Sequence, residues 1–191
     1  LERLTADPYT EIHPTFSPDG HRIAFVTDRS SGTDLEALTF GPLQIALLDL
    51  ETKRIEPLLI FTRGKHINPQ FSPDGASLYF VGEPDGVSDV FRYALEQKQT
   101  TRLTAVKTGV TGITALSPAL TVAATTGEIA FSILENGHLN IYEMSAAEGL
   151  PDPPAFTQAA RLPPDVPSAF DVVQSYLDDA ASGGDLDAAR T

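Results

Sequence analysis

The pentapeptide Phe-Ser-Pro-Asp-Gly occurs twice in this chain, at residues 16–20 and again at residues 71–75, and a degraded form follows as Leu116-Ser117-Pro118. Proline presets the backbone angle at the second position of a tight turn. Aspartate bonds its own backbone there, and glycine takes the left-handed conformation at little steric cost. Each copy is therefore predicted to reverse the chain. Its recurrence inside longer similar blocks indicates a repeat architecture.

An alternating apolar run follows each intact turn, at residues 23–26 and 78–81, and a turn before such a run predicts a β-hairpin with one buried face. The first unit is expected to have strands at residues 11–17, 22–28, 43–49 and 53–59. The second is expected to have them at residues 66–72, 77–82, 89–93 and 99–104. A degenerate third unit has residues 110–117, 128–132 and 139–143, with residues 155–157 as the candidate for a fourth strand. Four strands in roughly 45 residues form one blade of a β-propeller.

Residues 14–29, read as Pro-x-Phe-Ser-Pro-Asp-Gly-x-Arg-Ile-Ala-Phe-Val-x-Asp-Arg, resemble the WD40-like repeat known as PD40. Residues 69–81 resemble it again. This repeat builds the propellers of the TolB-like family and of related propellers that precede serine-peptidase domains. The resemblance covers residues 1–149, two repeats well and one poorly. It implies a non-catalytic scaffold that binds a protein or peptide partner, in the periplasm or another extracytoplasmic compartment.

Two features depart from the TolB-like pattern. A TolB propeller has about six blades where this chain offers about three, and the mixed domain that precedes it in that family is absent. Because a closed ring needs roughly four to eight blades, we expect either a part of a larger propeller or a half completed by another copy. Residues 1–5, Leu-Glu-Arg-Leu-Thr, resemble residues 100–104, Thr-Thr-Arg-Leu-Thr, so the chain is expected to open on the last strand of a repeat. Self-association through open blade edges is a further expectation.

The domain organisation follows from these patterns. Residues 1–149 are predicted to be propeller blades. Residues 150–167 hold six prolines and are predicted to be a linker, because proline interrupts helix and central strand alike. Residues 168–191 are predicted to be a helical tail, with apolar residues at helical spacing. The predicted fold class is therefore all-β, a partial propeller of about three four-stranded antiparallel blades with a short C-terminal helix.

The composition restricts the partners. The formal net charge is −13, from 26 acidic and 13 basic residues, which disfavours nucleic acid and anionic membrane surfaces. No cysteine is present, so thiolate chemistry is not expected. No apolar run approaches the roughly 20 residues of a membrane span, so membrane insertion is not expected. A cytoplasmic location stays open alongside an extracytoplasmic one.

The candidate binding residues are polar side chains on the predicted first strand of each unit, which lines the central channel in propellers. They are Glu11, His13, His66, Asn68 and Thr114. We expect them to contact a protein or peptide ligand. Imidazole and carboxylate groups also bind metals, but no local metal-ligand spacing occurs, so neither a metal nor a cofactor is predicted. Residues 30–42 are an insertion relative to the second unit and form a second candidate surface.

Catalysis is not predicted from these residues. Asp19 and Asp74 form a tempting acidic pair, but their place in the turn explains both. No Gly-x-Ser-x-Gly, His-Glu-x-x-His or Gly-x-x-x-x-Gly-Lys motif occurs. Two alternatives remain. One is a gating propeller of a prolyl-oligopeptidase-like serine peptidase whose catalytic domain is not in this chain. The other is a sensor propeller attached to helical repeats, of which residues 184–190 would be the first sign.

Overall fold

The computed structural model describes residues 1–146, which contain strands and no α-helix. The strands are β1 (Glu11–Phe16), β2 (Arg22–Thr27), β3 (Gln44–Asp49), β4 (Ile55–Pro57), β5 (His66–Phe71), β6 (Ser77–Gly82), β7 (Asp89–Ala94), β8 (Gln99–Arg102), β9 (Leu120–Val122), β10 (Ile129–Glu135) and β11 (His138–Met144). The all-β fold class is confirmed. The candidate strand at residues 155–157, the proline-rich linker and the helical tail lie outside the described residues.

Three antiparallel sheets follow one another along the chain. The first has the order β1-β2-β3-β4, the second β5-β6-β7-β8, and the third β11-β10-β9. Neighbours in sequence are neighbours in each sheet, which is the up-and-down order of a propeller blade. All six residues of β6 are buried, since the second sheet is covered on both faces. The third sheet has three strands in the described part of the chain, one fewer than the blade predicted for it.

The first Ser-Pro-Asp-Gly stretch forms the turn between β1 and β2. The Ser17 hydroxyl donates to Asp19 Oδ1 at 2.5 Å, and Asp19 Oδ1 also accepts the His21 N–H at 2.9 Å. Ser17 Oγ in turn accepts the Arg22 N–H at 2.9 Å. Gly20 has φ +73°, the left-handed conformation that glycine takes easily. The turn is therefore set by its own residues.

The second turn, between β5 and β6, has the same hydrogen bonds and the same glycine conformation as the first. Ser72 donates to Asp74 Oδ1 at 2.5 Å, Asp74 accepts the Ala76 N–H at 2.9 Å, and Gly75 has φ +68°. The serine hydroxyl is the main cause that holds the pKa of Asp19 and of Asp74 below the usual aspartate value. This arrangement confirms the predicted turn role of both carboxylates.

Apolar side chains fill the spaces between successive sheets. Those between the first and second sheets are Ala24, Ile45, Leu58, Phe71, Leu78, Phe80, Phe91 and Tyr93. Those between the second and third sheets include Tyr79, Val81, Val90, Leu103, Leu120, Ile129 and Phe131. A third cluster of Ile23, Phe25, Ala46 and Leu48 lies on the opposite face of the first sheet. Because strand side chains alternate in direction, β2 supplies residues to both faces.

The predicted first strand of the third unit, residues 110–117, is wrong. Val110 makes only an isolated bridge to Ile133, and the strand proper is β9, which pairs with β10 from Leu120 to Val122. Residues 112–119 form a loop between these two pairings, and Leu116-Ser117-Pro118 lies in it. The hairpin turn that follows β9 is closed by the Ala123 N–H donating to the Glu128 carbonyl at 2.8 Å. The degraded Ser-Pro sequence therefore does not mark the third hairpin.

Replacing Gly20 with valine should lower the free energy of unfolding by about 1–3 kcal/mol, because a β-branched residue is strained at positive φ. No atom lies within 4 Å of a Cβ built at Gly20, so backbone strain alone would act. Gly20→Asn is the matched control, since asparagine tolerates this conformation and should cost less. Chemical denaturation of the three proteins measures the difference. Equal stability of all three would contradict the turn assignment.

Candidate functional site

The first strands of the first two sheets share a bulge. The pairing of β1 with β2 shifts between Ile12 and Thr15, and that of β5 with β6 shifts between Ile67 and Gln70. His13 and Asn68 occupy the same place in these bulges, and both are left-handed, with φ of 53° and 55°. A proline follows each of them, which suits a bulge because proline has no N–H for the strand ladder.

These bulge residues connect the three sheets. The Asn68 N–H donates to His13 Nδ1 at 3.3 Å, and Asn68 Oδ1 accepts the N–H groups of Ala119 and Leu120 at 2.9 and 2.7 Å. Burial lowers the pKa of His13, and its hydrogen bond to the backbone of Leu116 opposes that shift. His13 and Asn68 are thus brought together, as part of the joints between sheets.

His66 lies at the start of β5 with 1% of its surface exposed. Its ring centroid is 5.0 Å from that of Phe61 and 5.7 Å from that of Phe80. Neither ring nitrogen has a hydrogen-bond partner, and burial lowers the pKa of His66 to about 4. The imidazole therefore packs as an aromatic core group, and it presents no surface to a ligand.

Glu11 lies at the start of β1, in a cluster around Arg29. Arg29 Nη2 is 2.5 Å from Asp7 Oδ2 and 3.3 Å from Glu11 Oε1, and its guanidinium carbon lies 4.5 Å from the centre of the Tyr9 ring. These four residues, Asp7, Tyr9, Glu11 and Arg29, are called the Arg29 cluster below. The cluster is partly exposed, so it forms a fixed surface of mixed charge beside the insertion.

The insertion, residues 30–42, is a closed loop between β2 and β3. Its ends are held by Thr33, whose hydroxyl donates to the Asp28 carbonyl and accepts the Gly41 N–H at 2.9 Å. Asp34 and Thr39 exchange two backbone hydrogen bonds of 2.9 Å each. Leu38 lies between these two residues and has 73% of its surface exposed. Phe40 follows Thr39 and has 63% of its surface exposed. Two large apolar side chains therefore stand in solvent on a loop whose backbone is bonded closed.

Thr114 is not on a strand. It lies exposed in the loop of residues 112–119, where its N–H donates to Ser117 Oγ at 3.0 Å and its hydroxyl is 2.9 Å from the same oxygen. The expectation that it shares a first-strand position with His13 and Asn68 is corrected, because the loop displaces the strand to β9. Of the five candidates, only His13 and Asn68 contact each other.

A buried polar network in the second sheet was not predicted from the sequence. Asp89 is fully buried and accepts the hydroxyl of Thr104 at 2.6 Å and the N–H of Val106 at 3.0 Å. Arg102 donates to Asp89 and, at 2.7 Å, to Asp85. The recurring Arg-Leu-Thr at residues 3–5 and 102–104 was the available signal, since it carries the arginine and the threonine of this network.

Residues 1–146 contain no cluster of three or more histidine, cysteine, aspartate or glutamate side chains arranged to hold a metal ion. Within the same described part of the chain, no helix is long and apolar enough to cross a membrane.

No protein-family model and no curated protein sequence matches this chain. Its structure is similar to TolB from Acinetobacter baumannii, with a TM-score of 0.53 and 21% identity over 72% of this chain and 30% of that one. A structure assigned to TolB from Agrobacterium tumefaciens has a TM-score of 0.55 and 17% identity over 76% of this chain and 49% of that one. An oligogalacturonate lyase in complex with manganese has a TM-score of 0.54 and 14% identity, over 75% and 38% of the two chains. This chain thus spans less than half the length of each of these proteins.

These similarities establish the class of fold. The three successive meander sheets have the architecture of β-propeller blades, and the resemblance to TolB is confirmed at the level of fold. At such low identity the similarities support the fold and nothing further. The similar structures also include a prolyl endopeptidase, at a TM-score of 0.53 and 13% identity over 74% of this chain and 21% of that one. The assignment to the PD40 family stays a prediction.

Replacing Asn68 with alanine should lower the free energy of unfolding by about 2–3 kcal/mol, since two buried N–H groups lose their acceptor. Asn140→Ala is the matched control, because Asn140 is exposed on β11, and its effect should stay within about 0.5 kcal/mol. Urea denaturation provides both values. Equal effects at the two sites would show that the Asn68 carboxamide does not join the sheets.

The pH dependence of stability should carry the signature of His66. Its pKa is about 4 in the folded state and near 6.5 when unfolded, so the unfolded chain binds the proton more readily. The contribution of His66 to the free energy of unfolding should therefore be fully present above pH 6.5. It should be lost as the pH drops towards 4, which lowers the free energy of unfolding by up to about 3 kcal/mol.

His66→Phe is the matched variant, because it keeps a ring in the aromatic cluster and removes the titrating group. We expect the difference in stability between this variant and the wild type to grow in favour of the variant as the pH falls. Guanidinium denaturation at several pH values measures it, and parallel curves for the two proteins would refute the buried, neutral imidazole.

Proposed function

We propose that this chain contributes blades to a non-catalytic β-propeller scaffold of the TolB type, which binds a protein or peptide partner. The observation that carries the proposal is the exposure of Leu38 and Phe40 on the closed insertion loop. Large apolar side chains held rigidly in solvent are the usual anchors of a protein interface, since little conformational entropy is lost when they are covered.

The predicted channel residues contribute to this proposal unequally. His66 is enclosed by aromatic rings, and the Asn68 carboxamide is engaged by two backbone N–H groups. Of the other candidates, Glu11 lies in the Arg29 cluster, His13 is half-buried, and Thr114 is exposed in the loop of residues 112–119. We therefore place the main contact on the insertion loop, with the Arg29 cluster at its base as the polar rim.

The chemistry of the partner follows from charge. The chain carries a formal net charge of −13, and the Arg29 cluster beside the apolar loop has two carboxylates against one guanidinium. A partner with a small apolar patch flanked by basic residues would complement this surface and would be drawn to it by the long-range field. An extracytoplasmic location goes with the TolB type and is part of the same proposal.

A gating propeller of a serine peptidase is the second candidate. The similarity to a prolyl endopeptidase is about as close as that to TolB, so the fold favours neither. The absence of a nucleophile-elbow motif from the chain is compatible with both, because a gating propeller carries no catalytic serine of its own. A peptidase reading frame contiguous with this segment would favour the second candidate.

Replacing Leu38 and Phe40 together with serine should weaken partner binding at least about tenfold, since two buried apolar anchors would be lost. The partner is first identified by a photo-reactive residue placed at Phe40, with one at Ile113 as the reference for non-specific capture. Ile113 is also exposed but lies in the loop of residues 112–119. Calorimetry with the purified partner then gives the affinities.

Ile113→Ser is the matched control, and it should leave the affinity within about twofold because it removes no proposed anchor. Far-ultraviolet circular dichroism verifies that the loop variant keeps its strands. Equal losses in both variants, or the same proteins captured from both positions, would reject the insertion loop as the binding surface.

A further inference from the structure

The turn between β3 and β4 has the same backbone as the turn between β7 and β8. Lys53 in the first of these turns has φ 57°, and Lys98 in the second has φ 52°. Leu50 and Leu95 begin the two turns. Each donates its N–H, at 3.0 Å, to the carbonyl of the residue that precedes the second strand of its sheet. The two turns therefore correspond residue for residue.

The two turns differ at the strand residue that precedes them. In the first sheet this residue is Asp49, whose Oδ1 accepts the N–H of Glu51 at 3.1 Å and that of Thr52 at 2.7 Å. The Thr52 hydroxyl donates to the same oxygen at 2.8 Å, and the bonds from Thr52 hold the pKa of Asp49 below its ordinary value. In the second sheet the corresponding residue is Ala94. The carboxylate that satisfies the first turn is therefore missing from the second.

A cavity of about 370 Å³ lies beside the second of these turns, between the first and second sheets. It is lined by Glu96 and Gln97, which correspond to Glu51 and Thr52 of the first turn. The backbone N–H groups of Glu96 and Gln97 have no acceptor among residues 1–146. The volume is within the range of pockets that hold small molecules. The other lining residues are Arg22, Gly75, Ala76 and Leu95.

Arg22, the first residue of β2, supplies the positive charge of the cavity. Its guanidinium carbon lies 5.9 Å from the centre of the Phe71 ring, so the group is directed towards the second sheet. In the described part of the chain no carboxylate forms an ion pair with Arg22, and Asp19 and Asp49 act on it only at longer range. A guanidinium beside two backbone N–H groups is a donor set that suits a carboxylate.

The charge of a ligand in this cavity is restricted by Glu96. Its side chain is the acidic group among the lining residues, and Arg22 is the basic one. One guanidinium against one carboxylate leaves the lining close to neutral. A second negative charge on the ligand would therefore be repelled by Glu96 without meeting a further cation. A singly charged carboxylate fits this lining better than a phosphate dianion or a dicarboxylate does.

We propose that this cavity binds a small monocarboxylate, whose carboxylate takes the place that the Asp49 side chain has in the first sheet. One of its oxygens accepts the N–H groups of Glu96 and Gln97, and the carboxylate faces the guanidinium of Arg22. The cavity lies at the end of the sheets that has the Ser-Pro-Asp-Gly turns, whereas the insertion loop joins β2 to β3 at the other end. The site is therefore separate from the surface proposed for a protein partner.

Proton–nitrogen NMR spectra of the full 191-residue chain, titrated with N-acetylglycine, test the site. We expect saturable downfield shifts of the amide protons of Glu96 and Gln97, since they gain a carboxylate acceptor. The amides of Glu51 and Thr52 are the internal control and should not move, because they already donate to Asp49. The uncharged N-acetylglycinamide should shift none of them. Inorganic phosphate should bind at least about threefold more weakly than N-acetylglycine, because of its extra charge.

Ala94→Asp supplies from within the chain the carboxylate that we assign to the ligand. In this variant the amide protons of Glu96 and Gln97 should already lie downfield, and N-acetylglycine should no longer shift them. Asn140→Asp is the matched control. It adds the same charge on the exposed strand β11 and should leave the affinity within about twofold. Arg22→Gln should weaken binding at least about tenfold, because a charge-assisted contact is lost.

Unmoved amides of Glu96 and Gln97 throughout the titration would overturn the proposal, and so would wild-type binding by Ala94→Asp. Equal shifts at Glu51 and Thr52 would show that the anion associates with the surface without a site. Phosphate that binds as tightly as N-acetylglycine would overturn the monocarboxylate class. None of these measurements involves the insertion loop, so they stand independently of partner binding there.

Discussion

The carboxamide of Asn68 is the interaction on which the arrangement of the sheets depends. Its oxygen accepts two backbone N–H groups from the third sheet, while the backbone N–H of Asn68 donates to His13 Nδ1 in the first. Asn68 makes both contacts from a bulge, where its backbone and that of His13 are left-handed. Asparagine adopts that conformation more readily than most residues. The local strain of two residues is thus offset by hydrogen bonds that join three sheets.

The structural role of Asn68 bears on how the polar residues of the inner strands β1 and β5 are interpreted. His66 and Asn68 look like ligands in a sequence, yet in the structure His66 fills the core and Asn68 satisfies buried backbone groups. A buried N–H left without an acceptor is costly, so such positions are poor places for a side chain that must also release and bind a partner. Exposed side chains are instead found at the rim, on the insertion loop and in the partly exposed Arg29 cluster.

The first two sheets were predictable because their turns are local. Serine, proline, aspartate and glycine set each reversal within six residues, and the predicted strand limits agree with the structure to within two residues. In the third sheet, the predicted strands at residues 128–132 and 139–143 are confirmed by β10 and β11, but the predicted first strand failed on the same reasoning. Leu116-Ser117-Pro118 looked like a worn turn, but it belongs to an eight-residue loop that enlarges the bulge of the first two sheets. Residue identity cannot distinguish a degraded turn from a loop when the pairing partner is remote in sequence.

The amino-acid sequence by itself determined the all-β class, the repeated hairpins and the acidic, cysteine-free surface, because each depends on neighbouring residues or on composition. Only the tertiary structure decided that His66 is enclosed by aromatic rings, that Thr114 lies in a loop, and that Asn68 links sheets. At His66 and Asn68 these contacts come in part from other strands and loops, such as Phe80 for His66 and Ala119 for Asn68, and no local pattern encodes which segment will arrive.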